Sequence, residues 1–187
     1  MRKKIVKIMT LLLAAAMVLS TAACGERETV STSSEGDVSV SGKTIKTTNI
    51  SALCPEGWGN IELEDTTSSE ENAVLPNELK FVKGGSSEQD TETNAYVDIV
   101  YYSANQDIMQ IDPNQWFESV ATLDAIQTGD TTWSGYTGLS LGVPFAYVYT
   151  QKDDAMVEVW LYTREGSENA AAITDADVLA ILQSITV

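Results

Sequence analysis

The sequence predicts an α+β fold: an antiparallel β-sheet of about six or seven strands with helices packed on it. Three observations carry that expectation. Alternating runs of β-branched and aromatic residues, separated by turn-forming residues, recur between Asn49 and Tyr162. A capped apolar stripe at helical spacing falls between Asp112 and Gln127, and a second one closes the chain after Thr174.

The first strand is expected over 49–54, where Ile50, Ala52 and Cys54 alternate with Ser51 and Leu53, and Pro55-Glu56-Gly57 ends it as a turn. Residues 58–64 form the return strand of a hairpin, with Ile61 and Leu63 on one face and Glu62 and Glu64 on the other. The acidic run 65–72 reads as a solvated loop, because Asp65, Glu70 and Glu71 lack the spacing of a calcium loop. Residues 79–83 offer a short third strand, and after the polar loop 84–94 comes the most convincing one, 95–103. Within it, Asp98 interrupts an apolar run and must face solvent or find a hydrogen-bonding partner, since burying it unpaired is costly.

Asp112-Pro113-Asn114-Gln115 has the residues of a helix start: an N-cap, a proline at the first helical position and a reciprocal capping-box side chain. The helix is expected to run to Gln127 with Trp116, Val120, Leu123 and Gln127 on its buried stripe, and to stop at Gly129. Residues 131–137 and 139–150 read as strands around Ser134-Gly135 and Gly138, with Pro144 implying an edge or a bulge. Lys152-Asp153-Asp154 is a hairpin turn that pairs Phe145-Ala146-Tyr147-Val148-Tyr149 with residues 156–162. The closing helix is expected to begin at Thr174, with Asp177 completing a capping box and Val178, Ile181, Leu182 and Ile185 on its apolar stripe. Capping accounts for Asp175 and Asp177, so no metal site is assigned to them.

The N-terminus carries an address. Arg2, Lys3, Lys4 and Lys7 form a basic start, residues 8–19 an apolar run and Ser20 to Ala23 a small-residue cleavage region, the pattern of a secretory signal. As a helix, residues 8–23 reach about 24 Å at 1.5 Å per residue, short of a hydrocarbon core of about 30 Å. Thr21-Ala22-Ala23-Cys24 resembles the lipobox of bacterial lipoproteins, with Thr21 where that family most often has Leu. The resemblance implies acylation of Cys24, cleavage just before it, and a membrane partner reached through the N-terminal lipid. Ordinary cleavage after Ala23 also satisfies the small-x-small rule and releases a soluble chain whose Cys24 can pair with Cys54. If Cys24 carries lipid, Cys54 is left as a lone, buried, reduced thiol.

Three segments follow: a signal peptide over 1–23, a Ser/Thr/Glu-rich flexible tether over 24–43, and a single α+β domain over 44–187. Loss of the signal removes four of the 11 basic residues and none of the 27 acidic ones, taking the formal charge from −16 to −20. Such a chain repels nucleic acid and anionic surfaces. With no His, zinc sites and Ser-His or Cys-His nucleophile pairs are excluded, and no glycine-rich phosphate loop calls for a nucleotide cofactor. No cofactor and no catalytic residue are assigned.

The turn Pro55-Glu56-Gly57-Trp58, the amphipathic helix ahead of a long hairpin, and the closing Ile181-Leu182-Gln183-Ser184-Ile185 resemble the Mog1/PsbP-like family of small bacterial lipoproteins and domains of unknown function. That resemblance implies an α/β/α sandwich and brings no catalytic residue with it. The expected role is an exported, lipid-anchored, non-catalytic binding or accessory module on the extracytoplasmic face of the membrane, with an envelope protein, peptide or glycan as partner. Trp133 and Tyr136, set among small polar residues, are the candidate ligand-binding side chains. The alternative is a hydrolase with paired carboxylates, such as a glycosidase, whose two acids stand about 5–9.5 Å apart.

Overall fold

The computed structural model describes residues 27–32, 38–68, 73–103 and 112–187. The fold is mostly β, which corrects the α+β sandwich expected from sequence and implied by the Mog1/PsbP-like resemblance: among the described residues there is a single α-helix. The strands are β1 (Arg27–Thr32), β2 (Val38–Lys46), β3 (Ser51–Pro55), β4 (Trp58–Ile61), β5 (Glu78–Lys83) and β6 (Tyr96–Tyr102). They continue with β7 (Glu118–Thr122), β8 (Ile126–Thr128), β9 (Thr131–Ser140), β10 (Val143–Lys152) and β11 (Ala155–Tyr162), and α1 (Ala176–Ser184) closes the chain.

Two antiparallel sheets form. β1-β2-β3 make a small one, and the main sheet runs β4-β5-β6-β11-β10-β9-β7, with β8 also paired to β9. Part of the segment expected to be a tether therefore carries strands, β1 and residues 38–43 of β2, and Val40 is buried. The expected hairpin across Pro55-Glu56-Gly57 does not form. β3 pairs with β2 and β4 with β5, so the turn carries the chain from one sheet to the other, with Gly57 in the left-handed region at φ 84°.

The helix expected over 112–127 is replaced by a 3-10 turn, Pro113–Gln115, followed by β7 and β8. Its start is locally as expected: the Asp112 carboxylate accepts from the Asn114 backbone N–H at 3.1 Å. Propagation fails because Glu118, Ala121 and Thr122 instead pair along β9, with Ser119 and the β-branched Val120 in a register irregularity between them, so that tertiary pairing overrides local helix propensity. The proposed stripe is not buried as a unit, since Trp116 is 70% exposed and Gln127 lies at the surface, while only Leu123 and Ile126 reach the core.

The expected β10–β11 hairpin is present. Lys152 faces Ala155 across Asp153-Asp154, and the register runs unbroken to Phe145 opposite Tyr162. β9 passes straight through Gly135 and Gly138, and a Cβ on Gly135 would sit 1.9 Å from the Tyr147 carbonyl oxygen, so this close approach requires glycine.

Because partners in an antiparallel ladder point to the same side, the register sorts the main sheet into two faces. One face carries Phe81, Val97, Ile99, Trp133, Ala146, Val148, Val159 and Leu161, and it packs on Val178, Ile181 and Leu182 of α1 and on Ala52 and Cys54 of β3. Full burial of each large apolar side chain here contributes about 1.5–3 kcal/mol.

The N-cap of α1 is Asp175, one residue later than the expected Thr174. Asp175 is extended at φ −66°, ψ 144°, and its carboxylate accepts from the Ala172 N–H at 3.0 Å. Asp177, expected as a capping-box member, instead accepts from the Trp58 indole N–H at 3.1 Å and pins the helix to β4. The helix ends as Ile185 returns to extended backbone and Thr186 bridges to Ser51. No helix among the described residues is long and apolar enough to cross a membrane.

Candidate functional site

The other face of the main sheet is built of rings and carboxylates. Three cross-strand rows describe it. In the first, Tyr96, Tyr162 and Phe145 stand side by side on β6, β11 and β10, and Gly138 on β9 faces Phe145. In the second, Lys80 and Asp98 are followed by Trp160, Tyr147 and Tyr136. In the third, Glu78 and Val100 are followed by Glu158 and Tyr149.

Alternation in β10 and β11 produces this arrangement. Phe145, Tyr147 and Tyr149 interleave with Ala146 and Val148, and Glu158, Trp160 and Tyr162 interleave with Val157, Val159 and Leu161. The rings lock together. Tyr96 and Tyr162 stack with centroids 4.6 Å apart, and Tyr147 lies 4.5 Å from Trp160 and 4.9 Å from Tyr136. Phe117, just ahead of β7, folds over the sheet and meets Phe145 edge-on at 4.8 Å and Trp160 at 5.7 Å. Gly138 makes room for this packing, since a Cβ there would stand 3.1 Å from the Phe145 ring. Phe145 is consequently only 1% exposed, whereas Trp160, Tyr162, Tyr136 and Phe117 remain half-buried and present ring surface.

Where β5, β6 and β11 meet, this face dips into a cavity of about 350 Å³ lined by Glu78, Lys80, Asp98, Trp160 and Tyr162, with Phe117 also at its wall. Asp98 finds the partner its sequence position required: its carboxylate lies 3.5 Å from the Lys80 ammonium, which also meets Glu88 at 3.3 Å. Burial raises the Asp98 carboxyl to about 6 against the opposing pull of Lys80, with Glu88 and Glu78 adding to the rise. Burial works to lower Lys80, but Asp98 and Glu88 outweigh it and hold the ammonium above its ordinary range.

Tyr147 donates to the Glu158 carboxylate at 2.7 Å, and burial together with that acceptor pushes its phenol far above the ordinary value. Burial, with the Glu158 charge, lifts Tyr136 to about 12. These phenols are therefore hydrogen-bonding groups at neutral pH and not bases.

The two sequence-predicted ligand residues are not brought together. Tyr136 joins the aromatic face, whereas Trp133, three residues away in the same strand, points to the opposite side and is 1% exposed. Its indole donates to the Thr128 hydroxyl at 2.9 Å, so its polar atom is satisfied inside the core. One edge of Trp133 also lines a second cavity, of about 480 Å³, beside Tyr101, Met156 and Ile185. Cys24 lies outside the described residues, and Cys54 is a free, buried thiol raised to about 11 by burial.

Sequence reasoning missed Trp160, Tyr162, Phe117 and Asp98 as companions of Tyr136. The available signal was that β10 and β11 alternate aromatic with aliphatic residues, not polar with apolar ones, so both faces of these strands carry apolar groups. Among the described residues no group of three or more His, Cys, Asp or Glu side chains is placed to hold a metal ion. The cavity can offer ring faces, two carboxylates and one ammonium to a ligand.

No protein-family model matches the chain, and no curated protein and no solved structure matches it.

Proposed function

We propose that this is an exported, lipid-anchored cell-envelope protein whose domain is a non-catalytic binding module, with the aromatic face of the main sheet as its contact surface. The observation that carries the reading is the concentration of half-buried rings around a cavity on one face of an otherwise strongly acidic chain. Ligand sites combine such aromatic lining with a few fixed polar groups, and Lys80, Asp98 and Glu78 supply them here.

Attachment through Cys24 would present this face outside the membrane, and several acyl chains, each contributing about 0.8 kcal/mol per buried CH₂, hold a protein stably. Intact mass and detergent partitioning test the anchor: an aqueous-phase chain with Cys24 and Cys54 joined in a disulfide contradicts it. The face is tested by titrating Trp fluorescence of the full chain with cell-wall glycans, peptides and small envelope metabolites, comparing Trp160→Leu with the unsubstituted chain. A saturable response that the substitution abolishes supports the reading, and an unresponsive chain across the panel contradicts it.

A second reading, a carboxylate-dependent hydrolase, is favoured by one feature: Asp98 is raised to about 6 in a ring-lined cavity that Glu78 also lines, a setting suited to a general acid. Turnover of chromogenic glycosides that disappears in Asp98→Asn would replace the binding reading with this one.

A further inference from the structure

We propose that the cavity between β5, β6 and β11 is a site for a small organic cation, an alkylated ammonium group seated against the Trp160, Tyr162 and Phe117 rings beside the Asp98 and Glu78 carboxylates. This deepens the binding-module reading and rests on it.

Charge selects the class of occupant. Around the cavity stand Glu78, Glu88, Asp98 and Glu158, against Lys80 and Arg164. Lys80 is committed to Asp98 and Glu88, while Glu78 and Glu158 have no ion pair among the described residues. The local field is therefore negative, in a chain whose overall charge adds to it.

The rings select the kind of cation. The face already seats cations over ring surface, with the Lys80 ammonium 5.8 Å and the Arg164 guanidinium carbon 5.7 Å from the Tyr96 ring centroid. Ring walls offer no ligands to a hydrated metal ion. They do match a diffuse positive charge with no N–H groups left to satisfy, and Trp is the strongest partner of that kind. At about 350 Å³ the cavity has the size of a small-molecule site. A neutral sugar could stack on the same rings but gains nothing from the excess negative charge, and an anion is repelled by it.

Calorimetric titration of the full chain with choline, with its uncharged isostere 3,3-dimethylbutan-1-ol, and with a neutral chito-oligosaccharide tests the assignment. Choline is expected to bind saturably and at least tenfold more tightly than the isostere, and Trp160→Leu to abolish the binding. Asp98→Asn is expected to weaken choline at least fivefold while leaving the isostere unchanged; Glu78→Gln provides the same test if the first variant does not fold. Dihexanoylphosphatidylcholine below its micelle concentration separates sources: binding equal to choline supports a site for the ammonium group alone, and tighter binding supports a site for lipid headgroups. Equal affinity for choline and its isostere overturns the cation assignment. Binding of the oligosaccharide, but not of choline, with loss in Trp160→Leu overturns the assignment while the aromatic-face reading stands; no binding by any probe in either assay removes both.

Discussion

Asp98→Asn should change the pH dependence of stability in a direction that few surface carboxylates share. Burial lifts the folded-state value from 3.8 to about 6, so between those values the folded chain holds a proton that the unfolded chain has released. Stability then falls as pH rises through about 4 to 6 and stays lower above that window, the reverse of a salt-bridged carboxylate with a depressed value. A shift of about two units corresponds to about 3 kcal/mol, and the 28% exposure of the side chain trims the expected effect to about 2–3 kcal/mol. The asparagine variant has no proton to lose at this position, and Lys80 keeps Glu88 at 3.3 Å as its partner. Urea unfolding of both chains at pH 4 and pH 8, at one ionic strength, should therefore show the variant gaining about 2–3 kcal/mol relative to the unsubstituted chain across the interval. Other titrating groups, including Lys80, Glu78, Glu88 and Tyr162 around the carboxylate, act in both chains and largely cancel in the difference. A difference constant to within about 0.5 kcal/mol, or one that moves against the variant at pH 8, would refute burial as the dominant influence on Asp98.

Three further outcomes follow from the core. Thr128→Val should cost about 1–3 kcal/mol because it leaves the buried Trp133 indole N–H without an acceptor, and Trp133→Ala about 3–5 kcal/mol, both read from denaturant midpoints. Cys54, raised to about 11 by burial, should be a thiolate in only about one molecule in a thousand at pH 8; alkylation by iodoacetamide should then be at least a hundredfold slower in the folded chain than in urea, and equal rates would show the thiol to be accessible.

The parts of this fold that could be read from sequence are those fixed by neighbours along the chain. Phe145 to Tyr162 announces a hairpin because alternation runs up to a two-residue Asp153-Asp154 turn on both sides, and the observed register follows it. The stretch after Asp112 misled for a physical reason. Its N-cap is real, but a cap satisfies only the first turn, and whether the next residues continue as a helix or join a strand depends on β9, which is supplied from further along the chain. The turn at Pro55-Glu56-Gly57 likewise has hairpin chemistry, yet β2 and β5 outcompete the local pairing of β3 with β4.

The aromatic face was hidden for a related reason. Parity alone could have separated Trp133 from Tyr136, since residues an odd number apart in one strand point to opposite sides. Joining Tyr136 to Trp160, Tyr162 and Asp98 requires the order of four strands, and that order is not local: β6 lies beside β11 although they are separated in sequence by β7 to β10. A pattern of aromatic residues alternating with aliphatic ones marks a strand with two apolar faces, but does not say which face a second layer will cover.

Hydroxyl-radical footprinting of the full chain, with and without a cell-wall and membrane fraction, tests most directly whether the aromatic face is the contact surface. In the free chain Trp160 and Tyr162 should be modified and Phe145 and Trp133 spared, in keeping with their burial. Addition of the fraction should then protect Trp160, Tyr162 and Phe117 selectively, leaving the exposed Trp116 reactive. Protection centred on Trp116, or no change at Trp160 and Tyr162, would contradict the proposal that this face meets the ligand.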